Sequence, residues 1–251
     1  MRDIEEITQL TDSLGNNPGG RGVLYVCGTP IGNLDDASFR LIQVLSQVDL
    51  IVCEDTRRTK KLLARYDIKK PLLALYEHVE KQRTGAVLEE LARGRLVALV
   101  SDAGMPLISD PGAYLVKKAR ESGFHIAVVP GPSAVTAALA LVGFCSSQFI
   151  FAGFPPRKSK KRREFFLEWI KPQVPVVMFE SPHRLVKTLD DLMAMFPSIQ
   201  VGLCHEMTKT YESVIVGHIK DVWEQLRGMK VKGEWVIVAY LESPENQEEA
   251  G

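Results

Sequence analysis

From Gly22 onward the chain alternates short apolar runs with longer stretches of mixed polarity. VLYVC (23–27), DLIVC (49–53), PLLAL (71–75), RLVALV (95–100) and HIAVV (125–129) are rich in Val, Ile and Leu. Short unbroken apolar runs of this kind predict strands covered on both faces, since a sheet with one wet face would alternate. Between them, 36–48 and 79–93 read as helices. Leu41, Ile42, Leu45 and Val48 share one face, as do Val87, Leu88 and Leu91, and Gly94 supplies a stop. Strand–helix–strand alternation needs crossover connections and therefore predicts a mostly parallel sheet.

A second alternating block follows Gly131. FIFAGF (149–154), PVVMFE (175–180), IQVGLC (199–204), YESVIVG (211–217) and EWVIVAY (234–240) read as strands, with helices over 159–170 and 183–196. Only a few residues around TKT separate two of these strands, too few for a parallel crossover, so that pair is expected to be antiparallel. The fold class is α/β with two lobes: an N-terminal lobe (22–131) with a mostly parallel sheet and a C-terminal lobe (132–245) with a mixed one. Residues 1–21, ending in the turn-rich LGNNPGGR, read as a flexible leader.

Composition narrows the class. The 31 Lys+Arg against 31 Asp+Glu argue against wholesale, sequence-independent nucleic-acid binding while leaving room for a local basic patch. No apolar run reaches the ~18 residues of a membrane span, so no membrane partner is expected. The start MRDIEEITQL lacks the apolar segment of a secretory signal. Cys27, Cys53, Cys145 and Cys204 are widely separated and form no C-x-x-C pair, which reads as reduced thiols and a cytoplasmic location. No His or Cys spacing matches a metal site.

In open α/β sheets ligands sit beyond the carboxyl ends of strands, so the segments following each run carry the chemistry. GTPIGNL (28–34) lacks the glycine fingerprints of dinucleotide and P-loop sites and is either a tight turn or a ligand loop. In EDTR, Glu54 and Asp55 at a strand end could cap the next helix or face a ligand, with capping the stronger reading for Asp55 and Thr56. SDAGMPLISDPG (101–112) is long for a connection between a strand and a helix, and long ordered loops at strand ends are usually functional. PGPSA (130–134) ends in a Ser at the N-cap of the helix AVTAALALV. Its small residues would admit a ligand or allow tight helix–sheet packing. In ESPHR (180–184) Pro182 is expected to open a helix capped by Ser181, with Glu180, His183 and Arg184 beside it. CHEMTK (204–209) and GEW (233–235) bring further charged groups. RKSKKRR (157–163) has six basic residues in seven and no acid, the pattern of a phosphate-binding patch or of a solvated loop.

TPIGNL, EDTR, SDAGMPLISDPG, PGPSA, GF-PP-K-x-x-KR, ESPHR, TK and KGE occur here in the order seen in the RsmI family. These are bacterial 16S rRNA (cytidine-2′-O)-methyltransferases within the tetrapyrrole-methylase superfamily, and the resemblance covers about residues 22–241. It implies a two-lobed tetrapyrrole-methylase-like enzyme that holds S-adenosyl-L-methionine in the cleft between its lobes. It also implies methylation of the ribose 2′-OH of a decoding-centre cytidine in 16S rRNA, within the assembled small ribosomal subunit, by a homodimer. Carried onto matching positions, cofactor contacts fall on Pro30, Ser101, Asp102, Ala103, Gly104, Ser133, Ala134, Glu180 and Met207, with Asp55 a weaker candidate. His205 stands where the family more commonly has Arg.

A 2′-hydroxyl is a weak nucleophile, so a positioned base would add perhaps 10²–10⁴-fold to the gain from alignment. Asp102, Glu180, His183 and Glu206 are the candidates for that proton. Arg157, Lys158, Lys160, Lys161, Arg162 and Arg163 are expected to contact rRNA phosphates. Two other readings keep part of this picture: the same fold acting on a tetrapyrrole or other small molecule, or a non-catalytic RNA-binding assembly factor. Fold alone does not separate them.

Overall fold

The computed structural model describes residues 20, 22–144 and 146–242. Apart from Gly20, the expected leader lies outside the described residues, as does Cys145. The chain divides into two units. One holds the described residues up to Pro30 together with Leu34–Pro132; the other holds Ile31–Asn33 and the chain from Ser133.

The first unit contains β1 (Val23–Cys27), α1 (Phe39–Gln47), β2 (Leu50–Cys53), α2 (Thr56–Arg65), β3 (Leu72–Ala74), α3 (Glu80–Ala92), β4 (Leu96–Val100), α4 (Ala113–Glu121) and β5 (His125–Val129). The strands form one parallel sheet in the order β3-β2-β4-β1-β5. Alternate residues feed two cores. Tyr25, Cys27, Ile51, Cys53 and Ala98 pack with Leu41, Leu45, Leu62 and Leu63 of α1 and α2 on one face. Leu24, Val52, Val97 and Leu99 pack with Val87, Leu91 and Leu115 of α3 and α4 on the other. This double covering explains why the strands are apolar throughout.

Local chemistry starts the helices where side chains can take their free N–H groups. Ser38 Oγ accepts from Leu41 N, and Asp55 Oδ1 accepts from Arg57 N at 2.8 Å. α4, which the apolar pattern did not announce, begins at Gly112. Its first N–H groups are taken by Glu80, whose Oε1 accepts from Gly112, Tyr114 and Leu115.

The second unit contains α5 (Ala134–Val142), β6 (Ile150–Phe151), α6 (Ser159–Trp169), β7 (Val176–Glu180), α7 (Leu185–Met195), β8 (Gln200–His205), β9 (Ser213–His218), α8 (Ile219–Arg227) and β10 (Trp235–Tyr240). Its sheet runs β6-β7-β10-β8-β9, with only β6–β7 parallel, and β8 and β9 pair antiparallel as their short connection requires. α6, α7 and α8 cover one face through Phe166, Leu185, Leu189, Leu192, Ile219 and Leu226. α5, with Ile31 and Met207, covers the other. α5 lies so close that a Cβ on Gly202 would sit 2.2 Å from Val142 Cγ1.

Three expectations change. β6 is only two residues long, because Gly153 turns the chain at φ +67° and Pro155 and Pro156 offer no N–H for pairing. The helix expected over 183–196 starts at Leu185. The carbonyl of Ser181 accepts from Arg184 and Leu185, making a turn in place of a Ser181 cap. α8 was not foreseen. Among the described residues no helix is long and apolar enough to cross a membrane.

Candidate functional site

Register collects the first unit's loops. Cys53, Val100, Cys27 and Val129 stand in one row across β2, β4, β1 and β5. EDTR, SDAG, GTP and PGP therefore leave the sheet side by side at one edge. Backbone pairing fastens them: Thr29 and Gly104 exchange N–H···O bonds of 2.8 and 3.1 Å, and Gly28 N donates to Val129 O. A Cβ on Gly131 would lie 2.6 Å from Gly28 O. Close loop packing thus accounts for both glycines.

Ser101 is buried, and its hydroxyl donates to Gly104 O at 2.8 Å, closing the SDAG turn. Thr29 Oγ1 donates to the carbonyls of Ser101 and Gly104. Beyond this turn the loop is strained: Leu107 and Ser109 take φ of +73° and +62°, where side-chain-bearing residues are costly. Pro30 is buried, while Ala103, Ser133 and Ala134 are half-buried. Ser133 occupies the N-cap position of α5 without a side-chain cap bond.

Carboxylates gather at the same edge. Asp102 accepts the Asp55 N–H at 3.0 Å and lies 3.5 Å from Arg58 Nε. Asp55 itself is a cap: hydrogen bonds from the Arg57 side chain and N–H hold its pKa down at about 2. Burial pushes the Asp110 carboxyl up to about 6, and the neighbouring Glu54 and Asp102 charges push the same way. Glu54 is also raised, by burial and then by Asp102. Glu54 is one of the two strand-end acids whose pattern already allowed a ligand-facing role, whereas Asp110 is not singled out by any pattern; the second Asp-containing turn of SDAGMPLISDPG is the signal that marks it.

The second unit has a matching edge. Glu180, Trp235, His205 and Ser213 form a row across β7, β10, β8 and β9, bringing ESPHR, KGE and HEMTK together. Lys209 Nζ bridges Glu206 and Glu234, and Glu206 Oε1 also accepts Glu234 N at 2.8 Å. A Cβ on Gly233 would meet that carboxylate at 2.5 Å. Asn33 N donates to Thr208 Oγ1, seating the end of TPIGN on HEMTK. His205 stacks on Trp235 at 4.2 Å, with Nε2 2.9 Å from Lys232 O.

This bonding corrects several expected roles. Glu180 is committed to partners of its own unit. Its side chain is fully buried; its carboxylate takes Ser181 N and Thr188 Oγ1 and pairs with Arg184 at 3.3 Å. Glu206 is equally committed. Burial would raise its pKa, but the Glu234 N–H and Lys209 outweigh burial and hold it below the usual carboxylate range, which makes it a poor base. The Met207 side chain packs in the α5-facing core. His183 is exposed on the turn before α7.

In the basic run, Arg162 is buried and unavailable to phosphate. Its guanidinium pairs with Asp191 at 2.5 and 2.9 Å and donates to the carbonyls of Pro156, Arg157 and Lys187. Arg163 shares Asp191 at 2.8 Å but stays half exposed. Arg157, Lys158, Lys160 and Lys161 are exposed.

Two α/β units, each with its motif loops at one sheet edge, are the architecture of a known class. Residues 23–222 match the family described as Tetrapyrrole (Corrin/Porphyrin) Methylases, so the chain belongs to that family. Solved structures agree on the fold. Uroporphyrin-III-C-methyltransferase from Thermus thermophilus superposes with TM-score 0.60 at 21% identity, over 88% of this chain and 94% of that one. A structure of uroporphyrin-III C-methyltransferase from the same organism, complexed with S-adenosylhomocysteine, gives 0.61 at 14% identity, covering 87% and 96%.

Relatives closer in sequence narrow the family. Ribosomal RNA small subunit methyltransferase I of Thermotoga maritima is 45% identical over 217 residues, 86% of this chain and 97% of that protein. The Neisseria meningitidis protein of the same name is 44% identical over 229 residues, 90% and 79% of the two lengths. The chain belongs to the ribosomal RNA small subunit methyltransferase I family.

Proposed function

We propose that this protein transfers a methyl group from S-adenosyl-L-methionine to small-subunit ribosomal RNA. The acceptor in this reading is the ribose 2′-OH of a decoding-centre cytidine in 16S rRNA, presented by the assembled subunit to a homodimer in the cytoplasm. Membership in the methyltransferase I family over nearly the whole length of the Thermotoga relative is the observation that carries it.

The first unit's edge suits the cofactor's chemistry. S-adenosylmethionine carries cationic sulfonium and ammonium groups, and Glu54, Asp102 and Asp110 crowd negative charge beside the fastened SDAG turn. Burial is the larger cause of the raised Asp110 pKa, and a cation there would offset only the smaller part that comes from Glu54 and Asp102. Bound, the cofactor supplies an electrophilic methyl carbon. Pro30, Ser101, Asp102, Ala103 and Gly104 are the first unit's proposed contacts, joined by Ser133, Ala134, the Glu180 backbone and Met207 from the second.

The proton of the 2′-hydroxyl falls to the Asp102–Asp110 pair in this proposal, because Glu180 and Glu206 are already committed. A carboxylate with a pKa near 6 is closer to neutrality than an ordinary Asp and so accepts a proton more readily. Exposed Arg157, Lys158, Lys160, Lys161 and Arg163 hold phosphates and position the strand. Mapping ribose methylation on small-subunit rRNA from cells with and without this protein tests the reading. One cytidine losing its 2′-O-methyl mark is expected, and an identical methylation map would refute it.

A further inference from the structure

The segment before the basic helix is held in an unusual way. Three consecutive carbonyls, those of Pro155, Pro156 and Arg157, accept from guanidinium groups: Pro155 O from Arg184, Pro156 O and Arg157 O from Arg162. Arg162 is buried, and both arginines are fixed by carboxylates, Asp191 and Glu180 respectively. Pro155 and Pro156 add their own fixed φ. The result is a rigid strap with five exposed cations, Arg157, Lys158, Lys160, Lys161 and Arg163, on or immediately after it.

At the head of this strap stands Phe154, 54% exposed. It is not loose. Its ring makes a T-shaped contact with Phe179 at 5.6 Å and 66°, and Phe179 is braced in turn by Phe151 at 4.9 Å. An exposed Phe costs solubility and gives nothing to the core. One anchored by a ring contact yet half exposed, a few residues ahead of a run of exposed cations, has the two features that single-stranded nucleic acid requires: an aromatic ring for a base and positive charge for the backbone.

We propose that Phe154 is a stacking platform for one unpaired base of the RNA strand whose phosphates lie on the 157–163 cations. The proposal rests on the RNA reading above and names a positioning residue for it. Phe154 contributes stacking that tolerates any base, while the cations contribute the salt-dependent part of affinity. Arg184 and Arg162 act through the strap, keeping ring and charges in one arrangement before RNA arrives.

The test uses the full-length protein and a 5′-labelled short oligocytidylate, compared with an abasic oligomer of equal length, by fluorescence anisotropy over a salt series. Wild type should bind the base-bearing strand about 5- to 150-fold more tightly than the abasic one, the range a stacked base supplies. Phe154→Ala should bind both equally, with the salt slope unchanged, and Phe154→Trp should keep the preference. Phe154→Leu retains apolar bulk against Phe179 without a π-system and should behave as the Ala variant. A base preference of wild-type size in Phe154→Ala or Phe154→Leu overturns the platform while leaving RNA binding intact. Failure of wild type to bind either strand with any salt dependence overturns the RNA reading itself, and the platform with it.

Discussion

Replacing Arg162 by Met separates two roles that the basic run hides. As a phosphate ligand, Arg162 would matter only for RNA. Its guanidinium instead lies at 5% exposure against Asp191 at 7%, with three backbone carbonyls on its remaining N–H groups. Removing one partner of such a pair strands a buried charge and typically costs about 3–5 kcal/mol. Ser159 Oγ and Arg163 Nε still donate to Asp191 Oδ1, so the low end, about 3 kcal/mol, applies. At roughly 2–4 °C per kcal/mol for a chain of this size, the melting midpoint should fall about 6–12 °C. Lys160→Gln with Lys161→Gln should move it by only about 1–2 °C, as exposed substitutions do. That double variant should instead lower the salt slope of RNA binding by about 1.4, near 0.7 per lost phosphate contact on a single strand.

Acid sharpens the comparison. Burial pushes the Asp191 carboxyl up, but bonds from Ser159, Arg163 and Arg162 outweigh it and hold the pKa below the usual Asp value. A depressed carboxylate gives stability that is present above its unfolded pKa, near 3.9, and is lost as pH falls through its lower folded value. Wild type should lose this increment below about pH 4, and Asp191→Asn should already lack it. Differential scanning calorimetry from pH 3 to 8 reads both effects. An Arg162→Met protein that melts like wild type, yet loses about 0.7 of salt slope, would show that the side chain reaches RNA and would refute the reasoning.

Gly202→Ala should destabilise by about 1–3 kcal/mol, because its Cβ would meet Val142 Cγ1 at 2.2 Å, and Val142→Ala should restore most of the loss in a double-mutant cycle. Asp110 should show the opposite pH sign to Asp191. With its folded pKa at about 6, above the unfolded value, its contribution is full below about pH 4 and lost as pH rises through 6. Asp110→Asn should therefore be the more stable protein near neutral pH while losing single-turnover methylation, and a variant with wild-type turnover would remove the proton from the Asp102–Asp110 pair.

The central strands were legible because helices of their own unit bury them on both faces, which leaves an apolar run that no loop imitates, and the half-exposed edge strands β3, β5 and β9 keep enough of that pattern to be seen. Helices were legible where an apolar stripe survives, as in α1 and α7. α2 showed only through its Asp55 cap. α4 escaped because Glu80, the acid that takes its free N–H groups, precedes it by more than thirty residues and no local pattern records that bond. The motif loops were found for a topological reason: in-register strand ends must deliver their loops to one edge.

Which side chains in those loops are free for chemistry is a separate question, and periodicity answers part of it. Arg162 looks like its neighbours in RKSKKRR, yet Arg162, Phe166 and Ile170 are spaced four apart, and all three are buried, the first two in α6 and Ile170 as its C-cap. Helical spacing alone assigns that arginine to the apolar stripe, where only a carboxylate such as Asp191 could keep it. Glu180 follows the same logic with a period of two. It shares a face with Val176 and Met178, the face that α7 covers, so its carboxylate had to find partners beneath the helix, and Thr188 and Arg184 are those partners. Asp102 and Asp110 lie outside any regular element, where no period applies. Asp102 meets Arg58 at 3.5 Å, whereas the charges acting on Asp110 are those of Glu54 and Asp102, so of the two Asp110 is the acid whose charge is answered less completely within the first unit.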